Sequence, residues 1–125
     1  MIVVDASAAV AALLGSGPAR ERLATEALHA PHLVDIEVTD VIRKLVLRDS
    51  MTTADAERAL AVWKRIGLSR YPTVGMLDRI WELRHNVSAY DAAYIALAES
   101  LDCHVVTADR RLAAAPGPRC AIEVT

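Results

Sequence analysis

This sequence of 125 residues has only two cysteines, Cys103 and Cys120, and no hydrophobic stretch long enough to cross a membrane. The cysteines lack the spacing of zinc ligands and are too few for the disulfide framework of a small secreted domain. A membrane-spanning helix needs about 20 mostly apolar residues in a row. The N-terminus also lacks a basic segment followed by an apolar signal stretch, and a strand is predicted there instead. We therefore expect a cytoplasmic protein, without a membrane partner, whose thiols are reduced and buried.

Aromatic residues are also scarce, at 4% of the chain, so there is little material on which nucleic-acid bases could stack. The formal net charge of −2 gives no global attraction for a nucleic acid either. Arginine supplies 12 of the 14 basic residues. This suits planar phosphate contacts, although a GC-rich genome produces the same bias. Composition alone therefore does not identify a nucleic-acid enzyme, and the function has to be read from motifs.

Several catalytic motifs are absent as well. The sequence has no glycine-rich phosphate-binding loop, no His/Cys zinc pattern and no Gly-x-Ser-x-Gly nucleophile elbow. Its four histidines, at positions 29, 32, 85 and 104, have no ligand spacing, and we interpret them as structural or surface residues.

With 54% hydrophobic and 24% charged residues the chain has the composition of a globular protein. Its length predicts one domain over residues 1–125.

Short apolar, β-branched runs alternate with helical patterns along the whole chain. Strands are predicted at 2–5, 68–71, 103–107 and 121–124, with a brief extended piece at 29–31. Helices are predicted at 6–14, 19–28, 33–47, 53–66, 74–85, 89–101 and 110–114. This alternation indicates a three-layer α/β/α fold, in which helices cover both faces of a central parallel sheet.

Two aspartates stand where predicted strands end. Asp5 follows Met-Ile-Val-Val, and Asp109 follows His-Val-Val-Thr-Ala. Open parallel sheets bind their ligands outside the carboxyl ends of the strands, so both residues are candidates for a binding or catalytic site. Each also precedes a predicted helix and could simply be its N-cap. Taken singly, neither aspartate decides between the two roles.

Asp91 gives a clearer signal, because two capping boxes can be compared. Ser88-x-x-Asp91 and Thr52-x-x-Asp55 have the same pattern of a helix start. Asp55 begins a helix with an ordinary polar face, whereas the helix after Asp91 is apolar on nearly every side. At roughly 100° per residue Asp91 falls beside Ile95 in the buried sector. This position favours a functional role for Asp91 over capping alone.

Glu37 lies at the border of the apolar stripe of its predicted helix, where a solvated charge is the simpler interpretation. Asp40, one turn further, falls on the polar face and can pair with Lys44 four residues on. We treat Asp40 as a surface residue or a residue that supports the site from outside.

The four acids Asp5, Glu37, Asp91 and Asp109 are more informative together than singly. A carboxylate in a poorly solvated place needs a partner, and no basic residue occupies a matching position. Mg²⁺ and Mn²⁺ prefer oxygen ligands, often one or two carboxylates completed by water and substrate phosphate. Such sites hydrolyse phosphodiesters by lowering the pKa of a water and stabilising charge on the reacting oxygens. The acids therefore indicate a shared divalent metal site.

The same motifs, in the same order, resemble those of the PIN domain family, and specifically the toxin ribonucleases of VapBC-type toxin–antitoxin pairs. Ile-Val-Val-Asp5-Ala-Ser7 resembles the first strand of that family with its Asp-x-Ser, and Pro31-His-Leu-Val-Asp-Ile-Glu37-Val its second acidic motif. Ser88-Ala-Tyr-Asp91-Ala-Ala-Tyr94-Ile-Ala-Leu-Ala resembles the third and most specific motif. Val105-Val-Thr107-Ala-Asp109 resembles the fourth. The resemblance covers essentially the whole chain and departs from the family at Asp40, where relatives often carry Asn.

The resemblance implies a Mg²⁺- or Mn²⁺-dependent endoribonuclease that forms a homodimer and is neutralised by a VapB-type antitoxin. Asp5, Glu37, Asp91 and Asp109 occupy the metal-site and catalytic positions of the family. Ser7 and Thr107 match positions that help to orient ligands or water there. Because an acidic cleft repels RNA, nearby cations must compensate. The candidates for RNA contact are Arg43, Lys44, Arg48, Arg84, Arg110 and Arg111.

Two other functions are compatible with parts of the pattern. A catalytically silent partner-binding module would share the fold, but it would have no reason to keep costly carboxylates together. A phosphoacceptor receiver domain normally has paired acids after its first strand and a late lysine, whereas Asp5 is followed by Ala6 and Ser7, and no lysine follows Lys64. For the dimer, the apolar residues on helices 19–28 and 53–66 form either an exposed patch or ordinary core: Leu23, Ala27, Leu60 and Trp63.

Overall fold

A computed structural model describes all residues 1–125 and contains five strands and seven α-helices. The strands are β1 (Ile2–Val4), β2 (Leu28–Pro31), β3 (Leu68–Tyr71), β4 (His104–Thr107) and β5 (Ile122–Val124). The helices are α1 (Ala6–Leu14), α2 (Pro18–Ala24), α3 (Val34–Leu47), α4 (Thr53–Trp63), α5 (Leu77–Glu82), α6 (Ala89–Leu101) and α7 (Arg110–Ala114), with a 3₁₀ turn at Val74–Met76. None of the helices is long and apolar enough to span a membrane.

The five strands form one sheet in the order β3-β2-β1-β4-β5, and every neighbouring pair is parallel. The chain lays down β2 and β3 on one side of β1 and then returns to place β4 and β5 on the other side. The strand order therefore reverses between β1 and β4, where Val4 is paired with Val106. A crevice forms at such a reversal, because the connections leave the two neighbouring strands in opposite directions. The predicted α/β/α fold class is confirmed.

Two hydrophobic clusters hold the layers together. The larger one joins the central strands to α1, α3, α4 and one side of α6, and the smaller one lies among α5, α6 and α7. The helix α6 belongs to both, and its residues 92–98 are all buried, as its nearly uniform apolar sequence predicted. Because the middle of α6 is buried in both clusters, the helix is fixed in place and its first turn holds Asp91 at a well-defined position.

Several predicted boundaries were wrong for tertiary reasons. The predicted helix 19–28 ends at Ala24, because Leu28 begins β2, which is hydrogen-bonded between β1 and β3. The extended piece at 29–31 is therefore a full internal strand. The predicted helix 74–85 is a 3₁₀ turn followed by the short α5, whose last turn tightens where the Leu83 N–H reaches the carbonyls of both Arg79 and Ile80. The helix predicted at 53–66 ends at Trp63.

Both cysteines are free and only partly buried, although buried thiols were expected. Burial raises the pKa of Cys120 to about 11 and also raises the pKa of Cys103. A thiol that resists ionisation is a weak nucleophile, so the structure gives neither cysteine a catalytic role.

Candidate active site

The crevice between β1 and β4 holds two of the four predicted acids. Asp5 directly follows β1 and its N–H donates to the Val106 carbonyl in β4, while Asp109 follows β4 by two residues. Parallel strands end at the same edge of the sheet, so the alternation of strands and helices brings these two acids together. Both aspartates also cap helices, Asp5 for α1 and Asp109 for α7. Capping and a place in the crevice are therefore compatible.

Asp5 is buried and is held by three hydrogen-bond donors. Its Oδ1 accepts from the Ser7 hydroxyl at 2.7 Å and from the Ala8 N–H at 2.9 Å. Its Oδ2 accepts from the hydroxyl of the fully buried Thr107 at 2.5 Å. Ser7 in turn accepts from the Ala108 N–H, and Thr107 accepts from the Asp109 N–H. Ser7 and Thr107 thus fasten the loop after β4 to the carboxylate that follows β1.

The three hydrogen bonds leave one acceptor site of the Asp5 carboxylate unfilled. Each hydroxyl carries one hydrogen, and both hydrogens point to Asp5, so the 3.1 Å contact between the Ser7 and Thr107 oxygens is not a simultaneous hydrogen bond. A carboxylate accepts at about four lone-pair sites, and three are filled, two on Oδ1 and one on Oδ2. Burial raises the pKa of Asp5 despite these donors. A cation at the remaining position on Oδ2 would offset the penalty that burial imposes on the charged form.

Asp91 lies in the first turn of α6 and is half-buried. Burial raises its pKa, and the negative charges of Asp5 and Asp109 raise it further. The predicted cap is confirmed, since Ser88 Oγ accepts from the Asp91 N–H at 3.1 Å. Asp55 has the same cap on α4 but is exposed and bonded to Arg58, which lowers its pKa. The two capping boxes therefore differ in the way that the sequence comparison predicted.

Glu37, on α3, is half-buried, and its Oε1 accepts from the Tyr94 hydroxyl at 2.7 Å. Burial raises the pKa of Glu37, and the charges of Asp91 and Asp5 contribute in the same direction. Tyr94 lies on α6 one turn after Asp91 and is 1% exposed. Sequence reasoning missed this contact. The available signal was a single hydroxyl among the apolar residues of α6, because a buried tyrosine usually finds a hydrogen-bond partner.

Asp109 differs from the other three acids. Its Oδ1 accepts from the Arg111 N–H at 2.9 Å and lies 3.4 Å from the Arg111 Nε, and the backbone bond is the main cause of a lowered pKa. Its Oδ2 accepts no hydrogen bond from the protein. Asp109 is therefore ionised readily and keeps one oxygen available at the mouth of the crevice.

The four acids influence each other electrostatically but do not form a closed cage. The charge of Asp109 raises the pKa of Asp5 and Asp91, and the charge of Asp5 raises the pKa of Glu37. No three acidic, histidine or cysteine side chains are close enough to form a complete ligand set. The donors nevertheless fit a hard cation, because all are oxygens and no arginine or lysine neutralises Asp5, Glu37 or Asp91. An open set suits an ion that keeps waters or substrate oxygens as further ligands.

Among the cations proposed to contact RNA, the structure places one beside the acids. Arg43 and Lys44 both bind Asp40 on the surface of α3, at 3.1 and 3.0 Å, so the predicted pair of Asp40 with Lys44 is confirmed. Arg48 donates to the Lys44 carbonyl, and Arg84 lies over the ring of Trp81. Arg110 is exposed without a carboxylate partner. The side chain of Arg111 is 93% exposed and lies against Asp109.

The chain is similar to one known protein family and to proteins of known sequence and structure. The PIN domain family model matches residues 2–118. The chain is 56% identical over 124 residues to the Ribonuclease VapC9 of Mycobacterium tuberculosis, with 99% of this chain and 98% of the relative covered. It is 43% identical over 127 residues to the Ribonuclease VapC1 of the same species, with 98% and 96% covered. The solved structure of PAE2754 from Pyrobaculum aerophilum is similar with a TM-score of 0.73 and 29% identity, over 98% of this chain and 83% of that one.

Proposed function

Because the chain belongs to the PIN domain family and, within it, to the VapC ribonucleases, we propose that it is a Mg²⁺- or Mn²⁺-dependent endoribonuclease of the cytoplasm. It acts as the toxin of a type II toxin–antitoxin pair and hydrolyses RNA phosphodiester bonds. The observation that carries the proposal is a set of four carboxylates at and near the crevice that influence each other electrostatically, three of which have raised pKa values and no basic residue bound to them. The two free thiols suit a reducing compartment.

The contacts of each residue indicate its role in this reaction. Asp5 offers Oδ2 to the ion, and Ser7 and Thr107 fix its orientation. Asp91 and Asp109 would supply further carboxylate oxygens to the same ion, and Glu37 would hold a second ion or position the attacking water. A divalent cation bound there lowers the pKa of water and neutralises charge on the reacting phosphodiester. Arg111 supplies a local positive charge that draws the RNA backbone towards an otherwise repulsive cleft.

The test compares the two capping-box aspartates. With Mn²⁺ or Mg²⁺ we expect the wild type to cut RNA. The cleavage rate of Asp91→Asn should be lower by more than about 100-fold, which is beyond the loss expected when only a residue that orients a metal ligand is removed. Asp55→Asn changes the same residue type at the same capping-box position of α4, where the side chain is exposed, and this variant should cut RNA like the wild type. Chelation by EDTA should stop cleavage, and added Mn²⁺ should restore it.

Equal cutting by the wild type and Asp91→Asn, or full activity in EDTA, would contradict the proposal. A wild type that neither cuts RNA nor takes up Mn²⁺ at millimolar concentration in a calorimeter would instead support the partner-binding module without catalysis.

The contact between Tyr94 and Glu37 gives a second expected result. Tyr94→Phe removes only the hydroxyl, so Glu37 loses the bond that fixes its carboxylate, and we expect cleavage and Mn²⁺ affinity to fall by about 10- to 100-fold. Tyr90→Phe is the matched control, since Tyr90 lies on the same helix and its side chain is exposed. Cleavage rates and Mn²⁺ calorimetry of both variants check the prediction. Unchanged Mn²⁺ affinity in Tyr94→Phe would show that the bond does not serve the metal site.

We also propose a homodimer that is neutralised by a VapB-type antitoxin. An apolar stripe supports the dimer: Val74 lies in the 3₁₀ turn, Leu77 and Trp81 lie one turn apart on α5, and the three are 74%, 53% and 67% exposed. The residues first considered for this role behave differently. Trp63 is buried, and Leu23 and Leu60 pack against the core, so only Ala27 of that set is exposed.

Light scattering at micromolar concentration should give twice the chain mass of 13.5 kDa. Trp81→Ser should shift the protein to the monomer, because it removes the largest apolar side chain of the stripe. Leu47→Ser, which changes a similarly exposed apolar residue on α3, should leave the dimer intact. A monomeric wild type would rule out the dimer. The antitoxin is tested by adding the protein encoded beside this gene, which should block RNA cleavage at a stoichiometric ratio.

A further inference from the structure

A groove of about 310 Å³ lies beside the acidic crevice and includes Asp91 and Asp109 in its wall. This volume is at the lower end of the range for small-molecule sites. Apart from the two acids, three polar side chains reach the groove, and the remaining wall is apolar. The polar residues are Asn86, Ser88 and Arg111, and the apolar ones are Val87, Leu112 and Ala115.

Asn86 is the polar residue of this groove whose side chain has no hydrogen-bond partner in the protein. Ser88 caps α6 and Arg111 contacts Asp109, but the side-chain amide of Asn86 forms no hydrogen bond with the protein. The amide is nevertheless backed by the turn at Gly117, which has φ +102°. A Cβ at position 117 would lie 2.8 Å from Asn86 Nδ2, so the amide lies directly against this turn, while the positive φ is what favours glycine there. Arg79 fixes the turn by donating to the Gly117 carbonyl at 2.9 Å.

The chemistry of the groove suits a nucleobase better than a phosphate. An amide presents donors and an acceptor side by side, which matches the edge of a base. The apolar wall can receive the flat ring, and the planar guanidinium of Arg111 can stack on it. Among the side chains of the groove, a phosphate would meet two carboxylates, Asp91 and Asp109, and a single cation, Arg111, which already contacts Asp109. Single-stranded RNA is recognised in this manner, through bases turned out of the stack and read on their edges.

We propose that this groove binds one nucleobase of the RNA next to the cleaved phosphodiester, and that Asn86 selects which base is accepted. The inference rests on the proposed ribonuclease function, since the groove shares Asp91 and Asp109 with the site of cleavage. It assigns a base preference at a single position of the substrate to a residue outside the acidic motifs.

The experiment maps cleavage positions in an RNA pool with randomised sequence, using Mn²⁺ and three proteins. The wild type should prefer one base at a fixed position beside the cut. In Asn86→Ala that preference should fall by about 5- to 150-fold, corresponding to the discrimination supplied by one side chain that reads a base edge. His85→Ala alters the preceding exposed residue, which does not line the groove, and should keep the wild-type preference. Mn²⁺ affinity should be the same in all three proteins.

Asn86→Asp provides a second variant of the same shape that lacks the amide donors. It should change the preferred base instead of only relaxing the preference, and its folding is not in question because the side chain is exposed. Cleavage by Asn86→Ala with the wild-type base preference would overturn the inference and leave the ribonuclease function intact, as would a uniform loss of rate at every sequence. A wild type that cuts no RNA would overturn both.

Discussion

Asp5→Asn is expected to reduce RNA cleavage by more than about 100-fold while the fold stays intact. Asparagine keeps the Oδ1 that accepts from Ser7 and from the Ala8 N–H, so the cap of α1 is preserved. Its amide replaces the oxygen that faces Thr107, whose hydroxyl can turn to the Ser7 oxygen at 3.1 Å. The variant therefore loses the negative charge and the open ligand position together. Losing a ligand should exceed the 10- to 100-fold effect of losing a residue that only orients one.

The matched control is Asp40→Asn, which changes an exposed aspartate already neutralised by Arg43 and Lys44. We expect this variant to cut RNA at the wild-type rate. Initial rates at saturating Mn²⁺, with the folded state checked by circular dichroism, give the comparison. Cleavage by Asp5→Asn within a few fold of the wild type would mean that the reaction takes place elsewhere.

The second large effect concerns stability without metal. Burial raises the pKa of Asp5, so the folded protein holds this proton more tightly than the unfolded chain does. The free energy of unfolding therefore falls as the pH rises from the ordinary carboxyl pKa, near 4, through the raised value in the fold. Asp5→Asn lacks this penalty. In EDTA, the melting temperature of the variant relative to the wild type should increase from pH 4 to pH 7.

Mn²⁺ should reverse this order at pH 7. An ion that binds only the folded wild type stabilises it by about 2.7 kcal/mol at a concentration of 100 Kd. For a chain of this size the increase in melting temperature is on the order of 10 °C. Asp5→Asn should gain little, whereas Asp40→Asn should gain as much as the wild type. A pH-independent difference in EDTA, or equal Mn²⁺ shifts in Asp5→Asn and the wild type, would contradict this explanation.

Local sequence patterns were sufficient for the residues whose position follows from a single element. Asp5 and Asp109 follow parallel strands, and the ends of such strands share one edge, so their convergence could be predicted. The partial burial of Asp91 could be predicted because α6 is apolar almost everywhere else. Helix α1 and strand β3 were also predicted with their observed bounds, since glycine or proline follows each of them in the sequence.

Other features depend on how distant elements pack, and no local pattern encodes them. The bond between Glu37 and Tyr94 joins α3 to α6, so Glu37 by itself resembled a solvated border charge. The predicted helix 19–28 ran too far because Leu28 is drawn into the sheet by β1 and β3. Asn86 lies in an exposed segment without periodicity. Its position depends on the turn at Gly117, which is distant in sequence, so no local pattern could predict it.

The most direct test of the shared cation is anomalous diffraction from a crystal of the protein grown with Mn²⁺. We expect one or two anomalous peaks in the crevice, within about 2.0–2.6 Å of oxygens of Asp5, Asp91 and Asp109. If two ions bind, they should lie roughly 3.5–4 Å apart, with Glu37 beside the second. Peaks found only at surface acids such as Asp40 or Asp55, with none in the crevice at saturating Mn²⁺, would contradict the account.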